Sequence, residues 1–249
     1  MKILVTAKET LDYHIKVRVK SDQSAVDLSN VKMAINPFDE IAVEAAIQLK
    51  EQHIADETVV VTIGSLKTKQ TLQHALAMGM DRGILIETEK QFESINIALI
   101  LKTIVDKERP DLILMGKQAI DDDCNQTGQM LAGLLNWPQV CFASRIQYQH
   151  QRWQVKREID GGLENLSFKG PGIITVDLRL NQPRFISLPN IMKAKSKPIE
   201  SILLDSLGLE LKSRQKIEQV QAPSPRGPAQ MLESIEALIQ VLKNKEVLA

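Results

Sequence analysis

Four short apolar runs punctuate the first half of the chain: KILVT (2–6), TVVVTI (58–63), GILIE (83–87) and DLILMG (111–116). Each has the length of a strand and lacks strict polar alternation, the pattern of strands covered on both faces. Between them the period changes. Residues 39–53 place Ile41, Ala45 and Leu49 at a spacing of four, with Glu40 and Glu44 on another face, and 68–79 and 94–108 follow the same logic. Continuous apolar strands separated by helices predict an α/β fold built on a doubly wound parallel sheet, which binds ligands beyond the carboxyl ends of its strands.

Past Pro138 the pattern turns to RIQYQ, WQVKREI, LENLSFK and GIITVDL, separated by HQR, DGG and GP. These alternate or are rich in β-formers, and Asp160-Gly161 is a hairpin signal, so 140–181 reads as a β meander added to the sheet. From Gln182 to Pro228 the chain reads as loop, broken by Pro183, Pro189, Pro198, Pro223, Pro225 and Pro228. So long an irregular stretch is unusual inside a compact domain and predicts an extended C-terminal arm lying on another protein. AQMLESIEALIQVLKNK then predicts an amphipathic terminal helix with Leu232, Ile235, Ile239 and Leu242 on one face.

Charge narrows the function. Lys plus Arg and Asp plus Glu are both 31, a formal net charge of zero, which argues against a general nucleic-acid binder. Locally the balance fails: from Leu178 to Ile199 there are five basic residues and no acid, as in a docking patch or a solvated loop. Cys124 and Cys141 make neither a disulfide framework nor a CxxC pair, so a reducing compartment is expected. MKILVTAKE is too short for a signal-peptide core or a membrane span and reads as a first strand, with no direct membrane insertion.

No catalytic set emerges. GxxxxGK[ST], GxGxxG and GxSxG are missing, and His14, His53, His74 and His150 are scattered. The informative stretch is GKQAIDDDCNQTGQM, Gly116 to Met130, which leaves the end of a strand and enters a helix. Asn125, Gln126, Thr127 and Gly128 fall at the helix start, where free N–H groups and the helix dipole favour an anion. Three readings stay open at this point: a polar cap, an anion site, or a Mg²⁺ site at the aspartates, which needs further oxygen ligands. In Asn36-Pro37-Phe38-Asp39, Asn36 suits an N-cap, Pro37 the first helical position and Asp39 a capping box. Phe38 is left as an apolar ring stranded above the sheet. Further on, Asn190 suits a cap for the short turn IMKAK after Pro189.

Together NPFDEIAVE, ALAMGMDRG, GKQAIDDDCNQTGQM, REIDGGLE and DLRLNQPRFISLPNIMKAK resemble the beta subunit of electron-transferring flavoprotein, in the same order along essentially the whole chain. The resemblance implies an adenine nucleotide alpha hydrolase-like sheet. It implies a nucleotide-binding domain over 1–181, meander included, with 182–249 as docking loop, arm and helix. It also implies an electron carrier rather than an enzyme, paired with an alpha subunit that binds most of the FAD, and one AMP buried in this chain. Its partners would be acyl-CoA and related dehydrogenases and a membrane electron transfer flavoprotein-ubiquinone oxidoreductase. The setting would be the cytoplasm in a bacterium or the mitochondrial matrix in a eukaryote.

By the same match AMP would be lined by Thr6 and Ala7, by Asn36, Pro37, Phe38 and Asp39, and by Ile63. The main loop would add Asp121, Asp122, Asp123, Cys124 and Asn125, then Gln126, Thr127, Gly128, Gln129 and Met130. Tyr13, Phe38 and Glu158 would lie beside the flavin, Glu158 pairing with an alpha-subunit arginine. Arg184, Leu188, Pro189, Ile191, Met192 and Lys193 would recognise the dehydrogenases. Relatives that bifurcate electrons usually carry another sequence in place of DDDCNQTG, which favours AMP and simple electron transfer. Two other classes stand beside this reading. A stand-alone adenylating or ATP-hydrolysing enzyme would need an SGG-type loop where the chain has AKETLDY, and a nucleotide-sensing regulator would not need the arm.

Overall fold

The computed structural model describes residues 1–247. They fall into two compact units, one of Met1–Lys16 with Leu28–Lys216, the other of Val17–Asp27 with the stretch from Ile217 onward. The first unit therefore runs past residue 181 and holds the segment expected to be the start of the arm.

Its centre is a sheet of nine strands. β1 (Lys2–Thr6), β4 (Glu57–Gly64), β5 (Arg82–Glu87) and β6 (Leu112–Gly116) coincide with the four apolar runs to within a residue. The helices between them are α1 (Pro37–Glu51), α2 (Lys69–Met78) and α3 (Ser94–Glu108), and α4 (Thr127–Leu135) follows β6. A small antiparallel pair not signalled by the pattern, β2 (Glu9–Leu11) with β3 (Met33–Ile35), precedes α1. Strand residues alternate between two cores. Ile3, Val5, Val60, Leu112 and Leu114 pack with α1 and α2, while Leu4, Val59, Val61, Ile113 and Met115 pack with α3 and α4. That two-sided burial is why the runs are continuously apolar.

β7 (Gln139–Gln149), β8 (Arg152–Ile159) and β9 (Gly162–Phe168) form an antiparallel ribbon, with Asp160-Gly161 as a two-residue loop between the paired Ile159 and Gly162. The expected meander ends there. β10 (Gly172–Val176) does not extend the ribbon but inserts in parallel between β6 and β7. Its five residues GIITV are all buried, as suits an internal parallel strand. The stretch 182–228 is mostly irregular, as read, but it is not without elements. α5 (Leu188–Ala194) and β11 (Ile199–Leu203) lie within it, and β11 adds in parallel to β5. The strand order is β11-β5-β4-β1-β6-β10-β7-β8-β9, so the chain reverses direction of growth between β1 and β6.

In the second unit Val19 bridges Val26, and the Val220 N–H donates to the Gln23 carbonyl at 2.9 Å. Its helix, α6 (Ile235–Asn244), begins later than expected and leaves Leu232 outside it. Ser234 is the N-cap, accepting from the Ala237 N–H at 3.2 Å. Ile235, Leu238 and Ile239 on this helix are exposed.

Candidate nucleotide-binding site

Reversal of strand order between β1 and β6 opens a crevice at their carboxyl ends, the place where open α/β sheets hold ligands. Three of the predicted segments meet there. Thr6 and Ala7 end β1, and the Ala7 N–H donates to the Val61 carbonyl at 2.9 Å. Residues 36–39 start α1, and 117–126 connect β6 to α4, whose first turn holds 127–130. Ile63 stands at the end of β4, half-buried against the second core.

The start of α1 is the rivet of this crevice. Asn36 occupies the N-cap and Pro37 the first turn, as expected, but the Asn36 side chain makes no capping bond. Its Nδ2 donates to the Gln118 carbonyl at 2.9 Å and its Oδ1 accepts from the Ile120 N–H at 3.2 Å. Nor does Asp39 close a capping box on the Asn36 N–H, which donates to the Lys8 carbonyl. Asp39 Oδ2 accepts from the Lys8 N–H at 2.8 Å and Oδ1 from the Gly116 N–H at 2.9 Å. One carboxylate thus joins the ends of β1 and β6 across the reversal point. Long-range backbone donors won over the local cap because both strand ends present N–H groups with no ladder partner there. Burial pushes the Asp39 carboxyl up to about 6, against the pull of these donors.

Phe38 is corrected as well. It is 7% exposed rather than stranded. A Cβ at Gly116 would lie 2.7 Å from the Phe38 Cβ and 2.9 Å from the Asp39 nitrogen, so only glycine lets α1 lean this closely on β6. Lys117 Nζ lies 5.1 Å from the centroid of the Phe38 ring and 5.7 Å from that of Phe142, within cation–π range.

The acidic loop is internally organised. Lys8 Nζ bonds Asp121 Oδ1 at 2.7 Å and Asp122 Oδ2 at 2.9 Å. Burial alone lowers the Lys8 ammonium pKa, but the two carboxylates outweigh it and hold it above the ordinary lysine value. Asp122 Oδ1 accepts from the Cys124 N–H at 3.1 Å, and Asp123 Oδ1 from Gln118 Nε2 at 2.8 Å. Asp123 and Asn125 adopt φ of 48° and 49°, a left-handed turn that these residue types tolerate best. The aspartates are therefore committed to a lysine and to loop closure, which weighs against the Mg²⁺ reading.

α4 then begins at Thr127 with Gln126 at the N-cap and no side-chain cap. By helix geometry the N–H groups of Thr127, Gly128 and Gln129 have no partner within the helix. Gln129 donates to Asn125 Oδ1 at 2.9 Å, while its buried Oε1 has no partner. A Cβ on Gly128 would lie 2.6 Å from Thr175 Cγ2, so the helix start sits hard against β10. This arrangement can hold an anion through backbone donors.

A second polar chain was not foreseen as functional. Lys117 Nζ pairs with buried Asp177 Oδ2 at 2.8 Å, and Arg179 Nη1 lies 3.7 Å from Asp177 and 3.5 Å from Glu158. It links Phe38 to Glu158, two of the three predicted flavin-side residues. Lys117 and Asp177 both lie inside motifs singled out in the sequence, but nothing there paired them. Tyr13, the third, is exposed beyond β2, its ring centroid 4.0 Å from that of His14.

The predicted recognition residues divide. Leu188, Pro189, Ile191, Met192 and Lys193 form the outer side of α5 and are exposed. Ser187, rather than Asn190, caps this helix, accepting from the Asn190 N–H at 3.4 Å. Arg184 turns inward, onto Glu44 and Glu51 of α1.

A family model described as the electron transfer flavoprotein domain matches residues 24–207. Electron transfer flavoprotein subunit beta of Dictyostelium discoideum is 50% identical over 243 residues, covering 98% of this chain and 97% of its own. That of Bradyrhizobium diazoefficiens is 50% identical over 245 residues, 98% of each chain. The Homo sapiens protein of the same name is 46% identical over 247 residues, 98% of this chain and 97% of its own.

Proposed function

The chain belongs to the electron transfer flavoprotein family as a beta subunit, and from that premise we propose a carrier with one FAD and one AMP, formed with an alpha subunit. It accepts electrons from acyl-CoA and related dehydrogenases and passes them to a membrane quinone oxidoreductase, with no turnover of its own. Mitochondrial and bacterial relatives both exist, and no described helix is long and apolar enough to cross a membrane.

The observation that carries the AMP assignment is the uncapped start of α4 at the β1/β6 crevice. Free N–H groups of Thr127, Gly128 and Gln129 suit a phosphate, and the orphaned Gln129 Oε1 suits a donor on the same ligand. The residues present therefore fit the phosphate of a nucleotide, and the family supplies the choice of AMP. AMP has a structural role in this reading, because none of the residues meeting there forms a nucleophile–base pair. FAD, when bound, supplies the reversible uptake of electrons. This chain contributes shape and field around it: Tyr13 as an exposed aromatic wall, buried Phe38 as backing for Lys117, and the Lys117–Asp177–Arg179–Glu158 chain as fixed charge.

Co-expression with the alpha subunit tests the proposal. A yellow heterodimer whose acid extract contains FAD and AMP in equal amounts is expected. An extract without AMP, or with two FAD per dimer, refutes the assignment.

A further inference from the structure

Between Asp177 and Lys197 the chain leaves the sheet, exposes a short apolar helix and returns, and both ends of this excursion are tied down. At the far end Lys197 Nζ donates to the carbonyls of Leu76 and Met80 at 2.9 and 2.6 Å, closing the C-terminus of α2. At the near end Asn181 Nδ2 donates to the Ile41 carbonyl at 3.0 Å. Arg184 then commits its guanidinium to two acids of α1. Nε and Nη2 grip Glu44 at 2.8 and 3.0 Å, Nη1 and Nη2 grip Glu51 at 2.6 and 3.1 Å, and the Arg184 N–H adds a 3.2 Å bond to Glu44.

Glu44 and Glu51 are seven residues apart, hence two turns apart on one face of α1, and the planar fork spans them. Glu44 is 3% exposed and also accepts from Gln48 at 2.9 Å. The arrangement thus consumes four of the five guanidinium donors and sets one cation against two carboxylates. Little of Arg184 is left for a partner. The next residues are open instead: Phe185 is 94% exposed and Leu188 72%, with Ile191 and Met192 also uncovered, while Ile186 and Ala194 pack inward. Seven residues are too few to hold a helix in isolation, so α5 keeps its orientation through these ties together with the inward packing of Ile186 and Ala194.

We propose that Arg184 is a positioning residue, which orients the exposed face of residues 185–192 through Glu44 and Glu51 and does not itself touch the dehydrogenase. This rests on the reading of that face as the dehydrogenase-docking surface.

The test uses the reconstituted heterodimer in six forms: wild type, Arg184→Ala, Arg184→Lys, Glu44→Gln, the double variant Arg184→Ala with Glu44→Gln, and Leu188→Ala. Amide hydrogen exchange over 185–194 and steady-state transfer from a dehydrogenase at several salt concentrations are measured. Arg184→Ala is expected to lower protection of 185–194 by about tenfold or more and to raise KM for the carrier about fivefold, with kcat nearly unchanged. Glu44→Gln should do the same in part, the double variant should be no worse than Arg184→Ala, and the salt slope should not move. Arg184→Lys keeps the charge but loses the fork, so it too should raise KM and keeps the test open if the alanine variant folds poorly. Unchanged exchange in both Arg184 variants overturns the proposal. So does a normal KM in Glu44→Gln together with a shallower salt slope in Arg184→Ala, the signature of a direct contact. Failure of the docking reading is distinct: exchange rises as expected, yet neither Arg184→Ala nor Leu188→Ala alters KM.

Discussion

At the scale of single residues, Asp39 and Leu188 carry opposite messages. Asp39 is buried and its carboxyl is pushed up to about 6, from an ordinary value of 3.8. A raised folded-state pKa means that its contribution to stability is fully present below about pH 4 and is lost as pH rises through 6. The difference corresponds to about 3 kcal/mol. Asp39→Asn removes this titration, and it leaves one of the two strand-end N–H groups facing an amide donor, at a cost of about 1–3 kcal/mol. Denaturant unfolding between pH 4 and 7 should therefore show wild type losing stability relative to the variant as pH rises. Parallel curves would count against it. Leu188 is exposed in this chain, so Leu188→Ala should shift stability by no more than about 0.5 kcal/mol. If it enters a pocket on a dehydrogenase, its burial there is worth roughly 1.5–3 kcal/mol, or about ten- to a hundredfold in affinity. KM for the carrier should rise with several dehydrogenases while the flavin spectrum and AMP content stay put. A loss of several kcal/mol in stability with normal transfer places Leu188 in the core instead.

At the scale of elements, the start of α4 is both a packing joint and a row of free donors. Gly128 serves the joint, since any side chain meets Thr175 on β10. Gly128→Val should push the helix start outward at a cost of about 1–3 kcal/mol. The three N–H groups of the first turn move with it. AMP content and melting temperature of the heterodimer are expected to fall together, since a ligand bound only by the native state adds its own stability. The flavin spectrum should change little. Full AMP occupancy with an unshifted melting temperature would separate the nucleotide from this helix.

At the scale of the whole molecule, each unit presents apolar side chains without cover. The first exposes Phe185, Leu188 and Met192, the second Ile217, Met231, Ile235, Leu238 and Ile239. On α6 the exposed residues fall at the spacing of one helix face, the pattern of an element made to pack on something. Apolar side chains exposed together on one helix face mark an interface or an aggregation hazard. The chain expressed alone should self-associate at micromolar concentration, and co-expression with an alpha subunit should convert it to one heterodimeric species. A monodisperse, cooperative monomer measured by sedimentation would contradict this.

Local period and chain neighbours decided whatever could be read from the residues in order. The runs at 2–6, 58–63, 83–87 and 111–116 had to be two-sided parallel strands because they never alternate, and Asp160-Gly161 had to turn. The helix start at 125–128 was legible from the polar-to-apolar switch, and the family from five motifs in fixed order. Partner choice at long range was not legible. GIITV is the same apolar run whether it closes a meander or inserts between β6 and β7, and only the sheet's free edges settle which. Asp39 has a local partner available at the Asn36 N–H, yet it serves β1 and β6, because two strand ends converge on it from far apart in the chain. Arg184 belongs to a basic stretch in the sequence, and only the fold sets α1's Glu44 and Glu51 beside it. Periodicity reports which side of an element is buried; which distant group waits there is decided only when the chain closes on itself.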